Sequence, residues 1–448
     1  AYWGAQTQRA VENFPISNET FGRRFVRALG VVKKAAAQAN EELGKLDEET
    51  ADYIVEAADE VIAGEHDDQF PVDVFQTGSG TSSNMNANEV IANRATELSG
   101  GEIGTRAIHP NDHVNYGQSS NDVIPTAMHV AALEAVEKDV LPALGTLLDA
   151  LAEKEDEFDD VVKTGRTHLQ DATPITLGQE FSGYRTQIEK GITRVQNTRP
   201  HLAELALGGT AVGTGLNTHP EFPEKAAEYI AEETGIAFRE ADNHFEAQAA
   251  HDAMTEAHSA LRTVAGSLNK IANDLRLLAS GPRNGLGEID QPENQPGSSI
   301  MPGKINPVVA EAVNQVHKQV VGNDAAVSAG AAEGQIDLNL YKPVLANDFL
   351  QSARLIANGS EVFAEKFVAK LEADREHCRE RVEQSMALAT ALNPAIGYDK
   401  ASKVAKQALA EDKTVKEVVV AEGYLSEEEA EEVLDPKKMT ERVVLGEE

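Results

Sequence analysis

The chain has one cysteine, Cys378, in 448 residues, so it can form no internal disulfide and no thiolate zinc site. Cationic residues are scarce: 40 Lys and Arg stand against 74 Asp and Glu, a net charge of −34. Neutralising a polyanion needs clustered Lys and Arg, so nucleic acid and anionic membrane surfaces are excluded as partners. No run of 18 apolar residues occurs, so no segment is expected to span a bilayer. No basic-then-apolar signal segment opens the chain, and the abrupt start at Ala1-Tyr2-Trp3-Gly4 points to a few preceding residues. With its single cysteine reduced, the protein is expected in the cytoplasm. The acidity reads as a solvated surface kept soluble by repulsion, or as adaptation to high salt, where screening tolerates such a charge.

Aromatics make up only 5% of the chain, although 41% of it is apolar. Helix contacts must therefore be made by Ala, Val and Leu, which let long helices approach closely. Their spacing is helical. Leu261, Val264, Ala265, Leu268, Ile271, Ala272, Leu275 and Leu278 form one stripe. Val309, Val313, Val316 and Val320 form another after Pro307. Val130, Leu133, Val136, Val140 and Leu144 form a third. Strand-like runs are rare, so a mainly α helical bundle is predicted rather than a parallel α/β sheet.

Four polar stretches interrupt this pattern: Thr77 to Asn88, His109 to Asp122, Thr164 to Thr176 and Gly281 to Asn306. They lack the Glu/Lys/Pro bias of disordered linkers and read as site loops. Beyond Asp374 the sequence turns Glu/Lys-rich, with the turn Asn393-Pro394-Ala395-Ile396-Gly397-Tyr398, and reads as a small terminal domain. The expected division is 1–119, 120–373 and 374–448.

Within the last polar stretch, Gly297-Ser298-Ser299-Ile300-Met301-Pro302-Gly303-Lys304-Ile305-Asn306-Pro307 combines backbone donors, hydroxyls and one cation. Its Asn306 can cap a helix beginning at Pro307. Such a loop before a helix attracts anions, although spacing alone also allows an ordinary Ser/Gly loop. Gly78-Ser79-Gly80 lacks the third glycine of a nucleotide-binding loop. His109 and His113 have the i, i+4 spacing of metal ligands, but Pro110 opposes a helix displaying both and no third ligand is evident. His168 taken alone fits a structural histidine as well as a catalytic one.

The Met-Pro-Gly-Lys-x-Asn-Pro pattern resembles the signature loop of the fumarase/aspartase superfamily. Other segments agree in order: Tyr2 to Arg9 with Asn13-Phe14, Gln76 to Asn86, His109 to Asp112, Gln118 to Asp122, and Gly165 to Ala172. The resemblance runs from Tyr2 to about Met439. It implies a three-domain fold whose central long-helix bundle forms a homotetramer core, with three subunits contributing to each site. It implies a small dicarboxylate as substrate and neither cofactor nor metal.

The same resemblance implies Ser298 as the base, His168 at the face where water leaves, and Glu311 as the orienting partner of His168. Substrate-binding positions carried over are Ser79, Thr81, Ser119, Ser120, Asn121, Thr167, Ser299, Lys304, Ile305 and Asn306. Arg106 with His109, Pro110, Asn111 and Asp112 correspond to a second dicarboxylate site. Ser79, Ser120, Gly303 and the stretch Ile396 to Ala401 are fumarase-like, while Pro307 to Val316 leans toward aspartase. The balance favours a hydro-lyase acting on malate and fumarate; ammonia elimination from aspartate is the alternative. A non-catalytic helical scaffold would fit only if Ser298, His168, Lys304 or Asn306 were replaced.

Overall fold

A computed structural model of the chain describes residues 1–442 and is mainly helical. The three stripes form the expected helices. The first lies on Asp252–Leu278 and is buried from Leu261 to Leu278. The second lies on Val308–Ala332, with Val313 and Val320 buried. The third runs through Ser120–Ala135, a π turn at Val136–Val140 and Leu141–Glu157, and all five of its residues are buried. Among the described residues no helix is long and apolar enough to cross a membrane.

The chain divides into two compact units. The first comprises residues 1–143, 191–265 and 316–358. Helix Arg23–Glu42 is its axis and packs on Glu48–Ala63, Ser120–Ala135 and Phe222–Thr234. The contact faces carry Ala28, Ala35, Ala36, Ala39, Ala51, Ala57 and Ala58, all buried, so small side chains replace aromatics as the packing element. Deeper in this unit His258 bridges two long helices: its Nδ1 lies 2.9 Å from Asp324 and its Nε2 2.8 Å from Ser352.

The second unit comprises residues 144–190, 266–315 and 359–448, of which 443–448 lie outside the described residues. Its short C-terminal helices enclose an apolar cluster that includes Leu392, Val404, Val415, Val419 and Leu434. Ser426 and Thr414 open two of these helices with capping boxes closed by Glu429 and Glu417.

Two polar stretches are more ordered than loops. Thr81–Leu98 is a helix, so only Thr77 to Gly80 remains a turn. Thr164 to Thr176 belongs to an antiparallel hairpin of strands Val162–Thr167 and Gln170–Thr176, with a register shift at Thr164/Gly165. Polarity in a sequence does not by itself mark irregular structure. Here the polar side chains find partners inside the fold: Ser83 with Gln76, Asn86 with the Gln69 carbonyl, Lys163 with Glu180.

Candidate active site

In the first unit three hydroxyls from two loops form a continuous chain. Ser79 Oγ lies 2.7 Å from Thr81 Oγ1, which lies 2.7 Å from Ser120 Oγ. Thr81 and Ser120 each open a helix, so two helix N-termini meet at this corner. Ser119 caps the second helix: its Oγ accepts from Asn121 N at 3.2 Å, while Asp122 accepts from Ser119 N at 2.9 Å. Asn121 donates its side-chain amide to the Ala211 carbonyl at 2.8 Å. Hydroxyls gathered at two positive helix ends suit a carboxylate.

The turn at Gly78 is held against the segment Asn339 to Lys342. A Cβ on Gly78 would lie 2.0 Å from the Leu340 carbonyl oxygen, so only glycine lets the two backbones approach. Lys342 donates to the Asn121 carbonyl at 3.2 Å, and Lys33 to Asn115 and Gln118 at 2.8 and 2.9 Å. Both lysines are fully buried. Burial lowers each ammonium to about 7 against the pull of Asp122, and burial raises Asp122 to about 6 despite its backbone donors. Neither lysine belongs to a motif of the sequence. The signal was present: Lys33 interrupts a buried stripe between Leu29 and Ala37, and Lys342 stands at the positive end of its helix.

Arg106 is exposed and sits at φ 60°. His109 caps the π turn Pro110–Val114, its Nδ1 accepting from Asn111 N at 3.2 Å and Asp112 N at 3.1 Å. With Nδ1 an acceptor, the Asp112 carboxylate 3.3 Å away is no salt-bridge partner. His113 is turned inward, its Nδ1 accepting from His109 N at 2.9 Å. The two rings serve this turn, and among the described residues no group of three or more His, Cys, Asp or Glu is placed to hold a metal.

In the second unit the signature loop closes on itself. Gly297 N donates to the Lys304 carbonyl at 2.8 Å, and Asn306 Nδ2 donates to the Gly297 carbonyl at 2.6 Å. Asn306 thus clasps the loop instead of capping the helix, which begins at Val308 rather than Pro307. With the helix starting at Val308, the N-cap position falls on Pro307, and Asn306 lies one residue outside it. Ser298, half-buried, receives two backbone donors on Oγ, from Ile300 N at 3.2 Å and Met301 N at 3.1 Å. Ser299, Lys304 and Ile305 are exposed. Gly303 adopts φ +78°, where any residue with a Cβ is strained.

Thr167 and His168 are exposed at the tip of the hairpin. His168 and Leu169 both take positive φ, 55° and 59°, as a two-residue turn of the I′ type demands, yet neither is glycine or asparagine. Such strain is held where the surroundings fix it. Glu288, wholly buried, lies 2.7 Å from Arg166 and 3.1 Å from Lys163 on the strand leading to that tip. Glu311 lies 3.8 Å from Arg276, and no contact with His168 forms within the chain among the described residues. Cys378 is buried within this unit; burial first, then the Glu288 charge, pushes its thiol up to about 12, which leaves it inert.

Comparison with known proteins gives this arrangement its class. A family model described as "Lyase" matches residues 1–322, and one described as "Fumarase C C-terminus" matches residues 388–441. Among curated relatives, a class II fumarate hydratase from Halobacterium salinarum is 80% identical over 446 residues, 100% of this chain and 95% of that one. Another, from Nitrosomonas europaea, is 55% identical over 98% of this chain and 96% of its own. The crystal structure of class II fumarase from Schistosoma mansoni superimposes with a TM-score of 0.95 at 40% identity, covering 98% of this chain and 95% of that one. A Brucella melitensis structure titled fumarate lyase:delta crystallin, bound to cobalt, gives 0.95 at 48% identity over 98% and 96%. The chain belongs to the class II fumarate hydratase family.

Proposed function

We propose that the chain adds water reversibly to fumarate, giving (S)-malate by anti addition, with Ser298 as the base of the reverse elimination. The family membership makes it a hydro-lyase and does not favour aspartase. The observation that carries the role of Ser298 is the pair of backbone N–H donors on its Oγ. An unassisted serine is a poor base; donors aimed at its oxygen stabilise the ionised form. In the elimination Ser298 removes a proton from C3 of malate. Electron density then moves onto the adjacent carboxylate as an aci-carboxylate dianion, and the C2 hydroxyl leaves as water on the opposite face with a proton from the His168 side.

Lys304 and Asn306 anchor the carboxylate that takes up this charge, with Ser299 and Ile305 beside them. Ser79, Thr81, Ser119, Ser120 and Asn121 receive the substrate through the hydroxyl corner, and Thr167 neighbours His168 at the hairpin tip. Glu311 orients His168 from another subunit, which accounts for its lack of contact with His168 within one chain. On this reading the protein is a homotetramer with each site shared by three subunits. Arg106 and His109 to Asp112 form the second dicarboxylate site. The division at 119/120 and 373/374, a cytoplasmic location and a place in the tricarboxylic acid cycle belong to the same reading.

The test follows the loss of fumarate ultraviolet absorbance with and without ammonium. Loss independent of ammonium is expected; dependence on it would reassign the chain to ammonia elimination, and no loss would favour a scaffold. Ser298→Ala is expected to abolish turnover while the assembly stays intact, whereas near-normal activity would remove Ser298 from the mechanism.

A further inference from the structure

The hydroxyl corner is backed by buried charge that packing alone does not require. Lys33 lies midway along helix Arg23–Glu42 and Lys342 is the first residue of helix Lys342–Lys366, both without solvent exposure. Burying an ammonium is strongly disfavoured, and a cation at a helix N-terminus also opposes the helix dipole. The two side chains nevertheless converge on one loop, through Asn115 and Gln118 for Lys33 and through the Asn121 carbonyl for Lys342.

The carboxylate that faces both lysines is Asp122, whose oxygens already accept from the N–H groups of Ser119, Gly208 and Thr210. The other titratable neighbours are His129 and His251, and burial disfavours a charge on either. Neither ring nitrogen of His251 has a protein partner. With burial holding each ammonium near 7, the two lysines together carry about one positive charge at neutral pH, which offsets Asp122 behind Ser119, Ser120 and Asn121.

We infer that Lys33 and Lys342 are positioning residues for the substrate-carboxylate loop. Without touching the substrate, they fix Asn115 to Asn121 and offset the Asp122 charge behind them. A dianion approaching a chain of net −34 meets general repulsion, and offsetting the Asp122 carboxylate keeps that repulsion from deepening at the point of binding. The inference rests on the proposed role of Ser119, Ser120 and Asn121.

The test compares Lys342→Met, Lys33→Met and Ser120→Ala in the full-length chain, reading kcat, KM for fumarate and Tm. Each lysine variant is expected to raise KM about tenfold, the scale of one lost charge-assisted contact, with kcat changed by less than about threefold. Tm should fall only modestly, because Asp122 keeps the other lysine while the oxygens that the ammonium served lose a donor. A raised KM in Ser120→Ala alone would overturn the inference and leave the loop reading standing. Wild-type KM in all three variants would remove both. A lowered Tm with unchanged KM would make the lysines merely structural. Should Lys342→Met fail to fold, Lys33→Met decides by the same criteria.

Discussion

Replacing Glu288 by glutamine removes one negative charge from a site with no solvent exposure, where Arg166 and Lys163 lie 2.7 and 3.1 Å from its oxygens. Removing one partner of a buried ion pair costs about 3–5 kcal/mol, because the remaining charge is left without compensation. Two features draw this variant to the lower end. Lys163, at 2% side-chain exposure, keeps Glu180 at 2.9 Å and the Thr164 carbonyl at 3.1 Å, while Arg166, at 16%, retains some water. The expected loss is about 3 kcal/mol, or roughly 6–12 °C in Tm for a cooperative unit of this size. Thermal and urea denaturation followed by circular dichroism, at one protein concentration, measures it. Glu180→Gln is the control: with its side chain 24% exposed, it should cost about 1 kcal/mol or less. The same strand ends at Thr167 and His168, so Glu288→Gln should also lower kcat. A variant within about 1 kcal/mol of wild type would refute the account of Glu288 as the anchor of the hairpin.

Three further outcomes follow from the same geometry. Gly78→Ala places a Cβ 2.0 Å from the Leu340 carbonyl, so it should destabilise by about 2–3 kcal/mol and raise KM by displacing the first loop; a wild-type urea midpoint would refute the close approach. Leu169→Gly relieves about 1–2 kcal/mol of left-handed strain, offset by about 0.5–1 kcal/mol of added unfolded-state freedom, so a small gain in stability is expected and a loss would count against the strained turn. With a net charge of −34, Tm should rise as NaCl is raised from about 0.1 to 2 M, and maximal stability in dilute buffer would exclude adaptation to high salt.

The helices were legible because burial imposes a period. Leu261, Val264, Leu268, Ile271 and Leu275 must share a face to leave water, and they do. The hairpin was not legible, since its alternation is masked by Lys163 and Arg166, charges that become buried only because Glu288 arrives from more than a hundred residues away. Asn306 shows the same limit on a smaller scale. Its position before a helix predicts a cap, yet the approach of Gly297 turns its amide to the loop.

From sequence alone came the helical class, the signature loop and the residues that resemble the family's site, because these depend on local spacing and residue chemistry. Only tertiary structure decided which of them meet. Ser79, Thr81 and Ser120 join at one corner, whereas among the described residues Glu311 pairs with Arg276 and forms no hydrogen bond or ion pair with His168. It also decided which charges are buried behind the site. The sequence shows that Lys33, Lys342 and Glu288 are polar, but only packing removes their water, and burial then strengthens the interaction of each charge with whatever lies beside it.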